Sequence, residues 1–192
     1  MTVPMQRPAR VSARAGHPRA ARRLPAALAV VLEVMSARAT PVPEAPCSAP
    51  PYRQFDFWLG DWDVFDASDP VKPVARVTVE PVLGGCGVLE SYADREGNEG
   101  RSFSIYDASR RLWHQTWITN HGRLLVIEGG LRSGRMELTG TDLAAFGEPA
   151  RSVRGTWEPL AGGVREVGVR SLDGGRTWQP WFDLLFRRHA PP

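Results

Sequence analysis

Acids set into apolar stretches are the residues with most scope for chemistry: Glu80, Glu90, Glu128 and Asp183 each sit among β-branched or aromatic neighbours. A carboxyl that such a stretch turns inward loses its hydration, so its pKa rises and it becomes a general base near neutral pH. Glu90, partnered by His114 or Tyr92, is the pairing such chemistry would use. For each acid a solvated face is the plainer reading. The histidines are His17, His114, His121 and His189, and no two of them have a metal-ligand spacing, so no metal site is expected. His114 or His189 would be the ligand of a haem; a satisfied or exposed imidazole is the default. There is no G-x-S-x-G elbow, P-loop or dinucleotide fingerprint, which leaves catalytic residues unassigned and no cofactor expected.

Ser171-Leu172-Asp173-Gly174-Gly175-Arg176-Thr177-Trp178 matches the Asp-box pattern S-x-D-x-G-x-T-W. In that hairpin the Asp side chain accepts backbone N–H groups while the Trp packs beneath. Propellers built on the motif need several copies, and this chain has one, so the reading is a structural turn.

The elements that would position these residues begin at Phe55-Asp56-Phe57-Trp58-Leu59-Gly60-Asp61-Trp62-Asp63-Val64-Phe65-Asp66, the densest apolar knot in the chain. Gly60 permits the positive φ that ends a helical turn, and beyond it Trp62 and Val64 alternate with acids as a first strand would. Segments of β-branched and aromatic residues follow at the spacing of an all-β meander: Ala75 to Leu83, Gly87 to Tyr92, Ser102 to Asp107, Leu112 to Thr119, Leu124 to Leu131, Arg135 to Leu143, Ser152 to Pro159, Val164 to Ser171 and Thr177 to Arg188. Short turns rich in Gly, Asn, Asp and Ser join them. Ten short antiparallel strands need two stacked sheets or closure, and the short connections favour a closed up-and-down β-barrel behind a short N-terminal helical plug.

Alternation along the strands selects the lining. Trp113, Gln115 and Trp117 share one face of their strand, as do Val153, Gly155 and Trp157 of theirs, and Met136 and Leu138 alternate with polar neighbours. Seven tryptophans, all from position 58 onward, are core filler or the flat walls of a cavity with N–H handles. The expected ligand-binding residues are Trp62, Glu90, Trp113, Gln115, Trp117 and Trp157, and the expected partner is a small hydrophobic or aromatic molecule.

Residues 1–39 read as a signal peptide or a disordered leader. The stretch is Arg-rich, Leu24 to Met35 is mostly apolar, and Ala37-Arg38-Ala39 puts small residues where a signal peptidase cuts, after Ala39. The expected location is periplasmic or secreted, with a cytoplasmic protein as the alternative. Residues 40–51 form a linker carrying five of the chain's 17 prolines, 52–188 the barrel, and 189–192 a tail. Seven arginines precede Thr40 against one acid, Glu33, leaving 17 bases and 20 acids beyond it. The net +3 charge thus belongs to the leader, and the barrel has no charge footprint for nucleic acid. The apolar run is too short for a membrane span. Cys47 and Cys86 are an even pair in an oxidising compartment, and a bridge between them would tie the linker to the barrel; two free thiols is the other reading.

The opening Phe55-to-Val64 knot, Leu83-Gly84-Gly85-Cys86, Glu90, Trp113-His114-Gln115-Thr116-Trp117, the Asp173-to-Trp178 hairpin and Phe182-Asp183 to Arg187-Arg188 together resemble an uncharacterised bacterial family of small, often secreted, lipocalin-like (calycin-like) barrels. The resemblance covers about Tyr52 to Arg188. It implies the barrel and carries no catalytic residues across. The chain departs from the pattern at Gly168, where a bulky aromatic is expected, and at Phe186, where a Tyr is expected. Leu59-Gly60-Asp61-Trp62 is also similar, more weakly, to nitrobindin-like haem barrels, whose proximal His has no clear match here. An exported binding barrel, a barrel-type isomerase, cyclase or hydrolase using an inward acid, and a haem barrel are the three functions these features imply.

Overall fold

The computed structural model describes residues 45–142 and 150–190. The leader and residues 40–44 of the linker lie outside the described residues. Ten antiparallel strands close into one barrel: β1 (Gly60–Asp66), β2 (Ala75–Val82), β3 (Gly87–Asp94), β4 (Glu99–Asp107), β5 (Leu112–Thr119), β6 (Leu124–Arg132), β7 (Arg135–Asp142), β8 (Arg151–Leu160), β9 (Gly163–Ser171) and β10 (Gln179–Arg188). Each strand pairs with its sequence neighbours, and β1 closes on β10 through Trp62↔Arg188, Val64↔Phe186 and their neighbours. Closure leaves no open sheet edge, the expected solution for a chain of short strands and tight turns.

The observed strands lie within a few residues of the expected ones. The largest shift at a strand start other than that of β4 is at β10, which begins at Gln179 rather than Thr177. Asp173 Oδ1 accepts the backbone N–H groups of Arg176 and Thr177, and Thr177 Oγ1 donates to Asp173 Oδ2 at 2.6 Å. The Asp-box turn therefore holds Thr177 and delays the strand.

One end of the barrel is stoppered. Two single turns of 3-10 helix, Pro50–Arg53 and Asp56–Trp58, precede β1. Gly60 ends the second with φ of 149°, and Arg188 lies where a side chain at Gly60 would go, its guanidinium 3.9 Å from the centre of the Trp62 ring. Phe55 and Trp58 stack at 4.9 Å, and Phe55 meets the edges of Trp113 at 5.6 Å and Trp157 at 5.4 Å. Two indole N–H groups at this end bond locally, Trp62 Nε1 to the Trp58 carbonyl at 2.9 Å and Trp113 Nε1 to Gln54 Oε1 at 3.1 Å, while that of Trp58 finds no partner among the described residues. A Cys47–Cys86 disulfide ties the lead-in to the turn before β3 at this same end. Closing a loop with a sequence separation of 39 is worth about 3–4 kcal/mol in the chain-entropy model. Among the described residues no helix is long and apolar enough to cross a membrane.

Candidate functional site

Between the plug and the opposite end the bore stays open as a cavity of about 320 Å³. Side chains alternate across a strand, so the strands contribute mainly through every second residue. β3 supplies Glu90 and Tyr92, β5 Gln115 and Trp117, β6 Leu125 and Ile127, β8 Val153, Gly155 and Trp157, β9 Glu166 and Gly168, and β10 Leu184 and Phe186. Trp157 touches both the plug and the cavity and so forms part of its floor. Toward the open end Tyr92 and Trp117 meet edge to face, centroids 5.9 Å apart at 81°, and both also line an outer recess of about 220 Å³ with Asn98, Glu99, Thr119, His121 and Arg123.

Glycines make room for the rings. A Cβ at Gly100 would stand 2.1 Å from Trp117, one at Gly155 2.7 Å from Trp157, and one at Gly168 2.4 Å from Phe182. Gly168 pairs directly with Phe182 across β9 and β10. The aromatic expected on β9 is thus replaced by a ring from the neighbouring strand lying over the bare backbone. A register shift between Pro180 and Phe182 brings Trp181 beside that ring, centroids 5.1 Å apart, and both line the cavity. Phe186, where the resemblance expects Tyr, is buried against Trp58 and Trp62 and borders the cavity as a purely apolar surface.

Two carboxyls face this space. Glu90 is 7% exposed and accepts a hydrogen bond on Oε2 from Ser102 Oγ at 2.8 Å. No hydrogen bond from a described residue reaches its Oε1. Burial pushes the Glu90 carboxyl up to about 7, against the smaller opposite pull of Ser102. Glu166 is half-buried and borders the same cavity. Burial, then the charge of Glu90, raises its pKa well above the usual glutamate value. The Trp157 N–H interacts with Glu166 and favours its ionised form, but it closes no hydrogen bond of ordinary geometry. Neither carboxyl has an ion-pair partner among the described residues. Tyr92 Oη lies 3.5 Å from Asp94 Oδ2; burial, then Asp94, push the phenol up to about 12, so it stays neutral. Gln115, the polar side chain expected between two indoles, is buried and donates from Nε2 to Ser104 Oγ at 2.9 Å. Arg154 also borders the cavity, with its guanidinium stacked 4.3 Å from the centre of the Trp178 ring.

Of the six residues singled out from the sequence, Glu90, Gln115, Trp117 and Trp157 line the cavity. Trp62 and Trp113 point inward but are not among its lining residues; both are 1% exposed, packed in the core at the plugged end. The other acids face outward. Glu80 is exposed, Glu128 joins Arg110 and His114 on the outer wall, and Asp183 pairs with Arg165. His114 therefore does not partner Glu90: its Nδ1 meets Glu128 Oε1 at 2.7 Å and its Nε2 meets Thr116 Oγ1 at 2.9 Å. His189 meets Asp63 Oδ2 at 3.0 Å. No described histidine lines the inner cavity, so the residues present do not fit a haem held there by His. The described residues hold no cluster of three or more metal-binding side chains.

Sequence alternation did not single out Glu166, Trp181 or Phe182. The first lies on a strand whose other face carries Val167 and Val169, which blurs the pattern, and the latter two flank the irregularity in β10. Comparison with known proteins adds no relative: no family model matches the chain, and no curated protein matches it.

Proposed function

We propose that this protein is a non-catalytic, exported binding protein, a carrier or sensor that holds one small hydrophobic or aromatic molecule inside its barrel. The observation that carries the reading is the cavity of about 320 Å³, walled by Trp117, Trp157, Trp181, Phe182 and Phe186 with a few convergent polar groups. Its size lies at the small end of the range of about 300–1,000 Å³ typical of ligand sites, and its mix of flat apolar walls and sparse polar anchors is theirs. Export accords with the leader's pattern and with a disulfide between Cys47 and Cys86. The resemblance to small, often secreted, lipocalin-like barrels points the same way.

An enzyme of the same architecture would use Glu90 as base, but its hydrogen-bond partner is Ser102 rather than a histidine or tyrosine. That geometry favours binding over proton transfer. The test is native mass spectrometry of protein purified from its own cellular compartment. A stoichiometric small molecule released on unfolding is expected; protein that is bare and takes up no compound from a crude extract of the source cells contradicts the reading.

A further inference from the structure

We propose that the ligand is a cation: a protonated amine on a small apolar, preferably aromatic, body, its ammonium lodged between Glu90 and Glu166 within the ring of indoles. The inference rests on the binding reading above and narrows it to one ligand class. Glu90 lies on β3 and Glu166 on β9, four strands apart around a ten-strand barrel, and both border the same cavity. They sense each other's charge, and no described cation pairs with either. Two buried carboxyls facing one largely apolar bore without a counter-ion among the described residues oppose folding unless something neutralises them. A proton on Glu90 does so below about pH 7. A bound ammonium would do so better, because it adds the attraction of an ion pair in a low-dielectric site.

The rest of the wall suits the same guest. Ammonium groups are attracted to the faces of indole and phenol rings, and Trp117, Trp157 and Tyr92 border the cavity beside the acids. Among the described residues Glu90 Oε1 accepts no hydrogen bond, and the Trp157 N–H, on a residue 2% exposed, donates none of ordinary geometry. An N–H donor on the ligand satisfies the carboxylates, and an ionised Glu166 gives the indole its acceptor. The charged and titratable groups facing this space are Glu90 and Tyr92 from β3, Arg154 from β8 and Glu166 from β9. Tyr92 stays neutral, while the Arg154 guanidinium stacks on Trp178 and pairs with no carboxylate among the described residues. The acids therefore set the sign of the site. Since the ammonium selects ionised carboxylates, binding releases protons and tightens as pH rises.

Isothermal titration calorimetry with 2-phenylethylamine and its neutral analogue 2-phenylethanol tests this at pH 6 and pH 8, in two buffers of different ionisation enthalpy. The amine is expected to bind at least tenfold more tightly than the alcohol at pH 8, to weaken several-fold at pH 6, and to release protons. Glu90→Gln and Glu166→Gln are each expected to abolish the amine's advantage over the alcohol. Equal or better binding of the alcohol, with neither variant altering the ratio, overturns the cation proposal and leaves the barrel a carrier of neutral molecules. Failure of both compounds to bind a protein whose circular dichroism shows it folded overturns the cation proposal and counts against the binding reading as well.

Discussion

Glu90 and Glu166 face one cavity from strands four places apart in the barrel, with no cation set between them among the described residues. A carboxyl whose pKa is higher folded than unfolded binds more protons in the native state. Its penalty is absent below the unfolded value, grows as pH rises between the two values, and is complete above the folded one. For Glu90 that window runs from the usual glutamate range up to about 7. The ligand-free protein should thus lose stability between about pH 4.5 and pH 7. Glu90→Gln, which can still accept the Ser102 hydroxyl, should raise stability at pH 8 by on the order of 2 kcal/mol and change little at pH 4. Urea unfolding across that range checks it; a Gln variant less stable at pH 8 contradicts it.

The disulfide should carry much of the plug's stability. Replacing Cys47 and Cys86 together by Ser should cost about 3–4 kcal/mol and loosen Phe55 and Trp58 from Trp113 and Trp157. Urea unfolding and near-ultraviolet circular dichroism of the variant measure both effects. Unchanged stability would show that the aromatic stack alone holds the plug.

Gly100 and Trp117 test how tightly the walls are fitted. A Cβ at Gly100 would meet the indole at 2.1 Å, so Gly100→Ala must displace the ring that separates the cavity from the outer recess. Crowding of this kind costs about 1–3 kcal/mol, and any ligand bound in the cavity should weaken at least tenfold. Chemical unfolding and titration of the retained compound report the two effects. An Ala variant with wild-type affinity would remove Trp117 from the binding surface.

His114 provides the opposite expectation. It sits on the outer wall in an exposed network with Glu128 and Arg110, where ion pairs are worth about 0–1 kcal/mol. His114→Ala should shift stability by less than about 1 kcal/mol and leave ligand affinity unchanged. A tenfold loss of affinity would return this histidine to the site.

Much of this was legible before any coordinates, because a strand's period of two writes burial directly into the residue order. Trp113, Gln115 and Trp117 point inward together, as do Val153, Gly155 and Trp157, and turn residues marked nearly every strand end. Depth along the bore was not legible. Trp62 and Trp113 face inward at the level of the plug, and only the packing of Phe55 and Trp58 decides that they become core rather than cavity wall. Nor could alternation find Glu166, since valines on both faces of β9 hide which side is inside. Trp181 escaped because a register shift breaks the period at that point. The partner of Glu90 depended on facing: His114 lies in a plausible strand but on the outer surface.

The most direct measurement of where a ligand sits is two-dimensional NMR of the protein titrated with the molecule it retains, following methyl and indole N–H resonances. Binding in the bore predicts shifts at Leu125, Ile127, Leu184 and the Trp157 N–H, all on the cavity wall. Outer-wall methyls of Ile105, Ile118 and Val126, which are exposed, should stay put. Shifts confined to those outer residues, with the cavity resonances unmoved, would contradict the account.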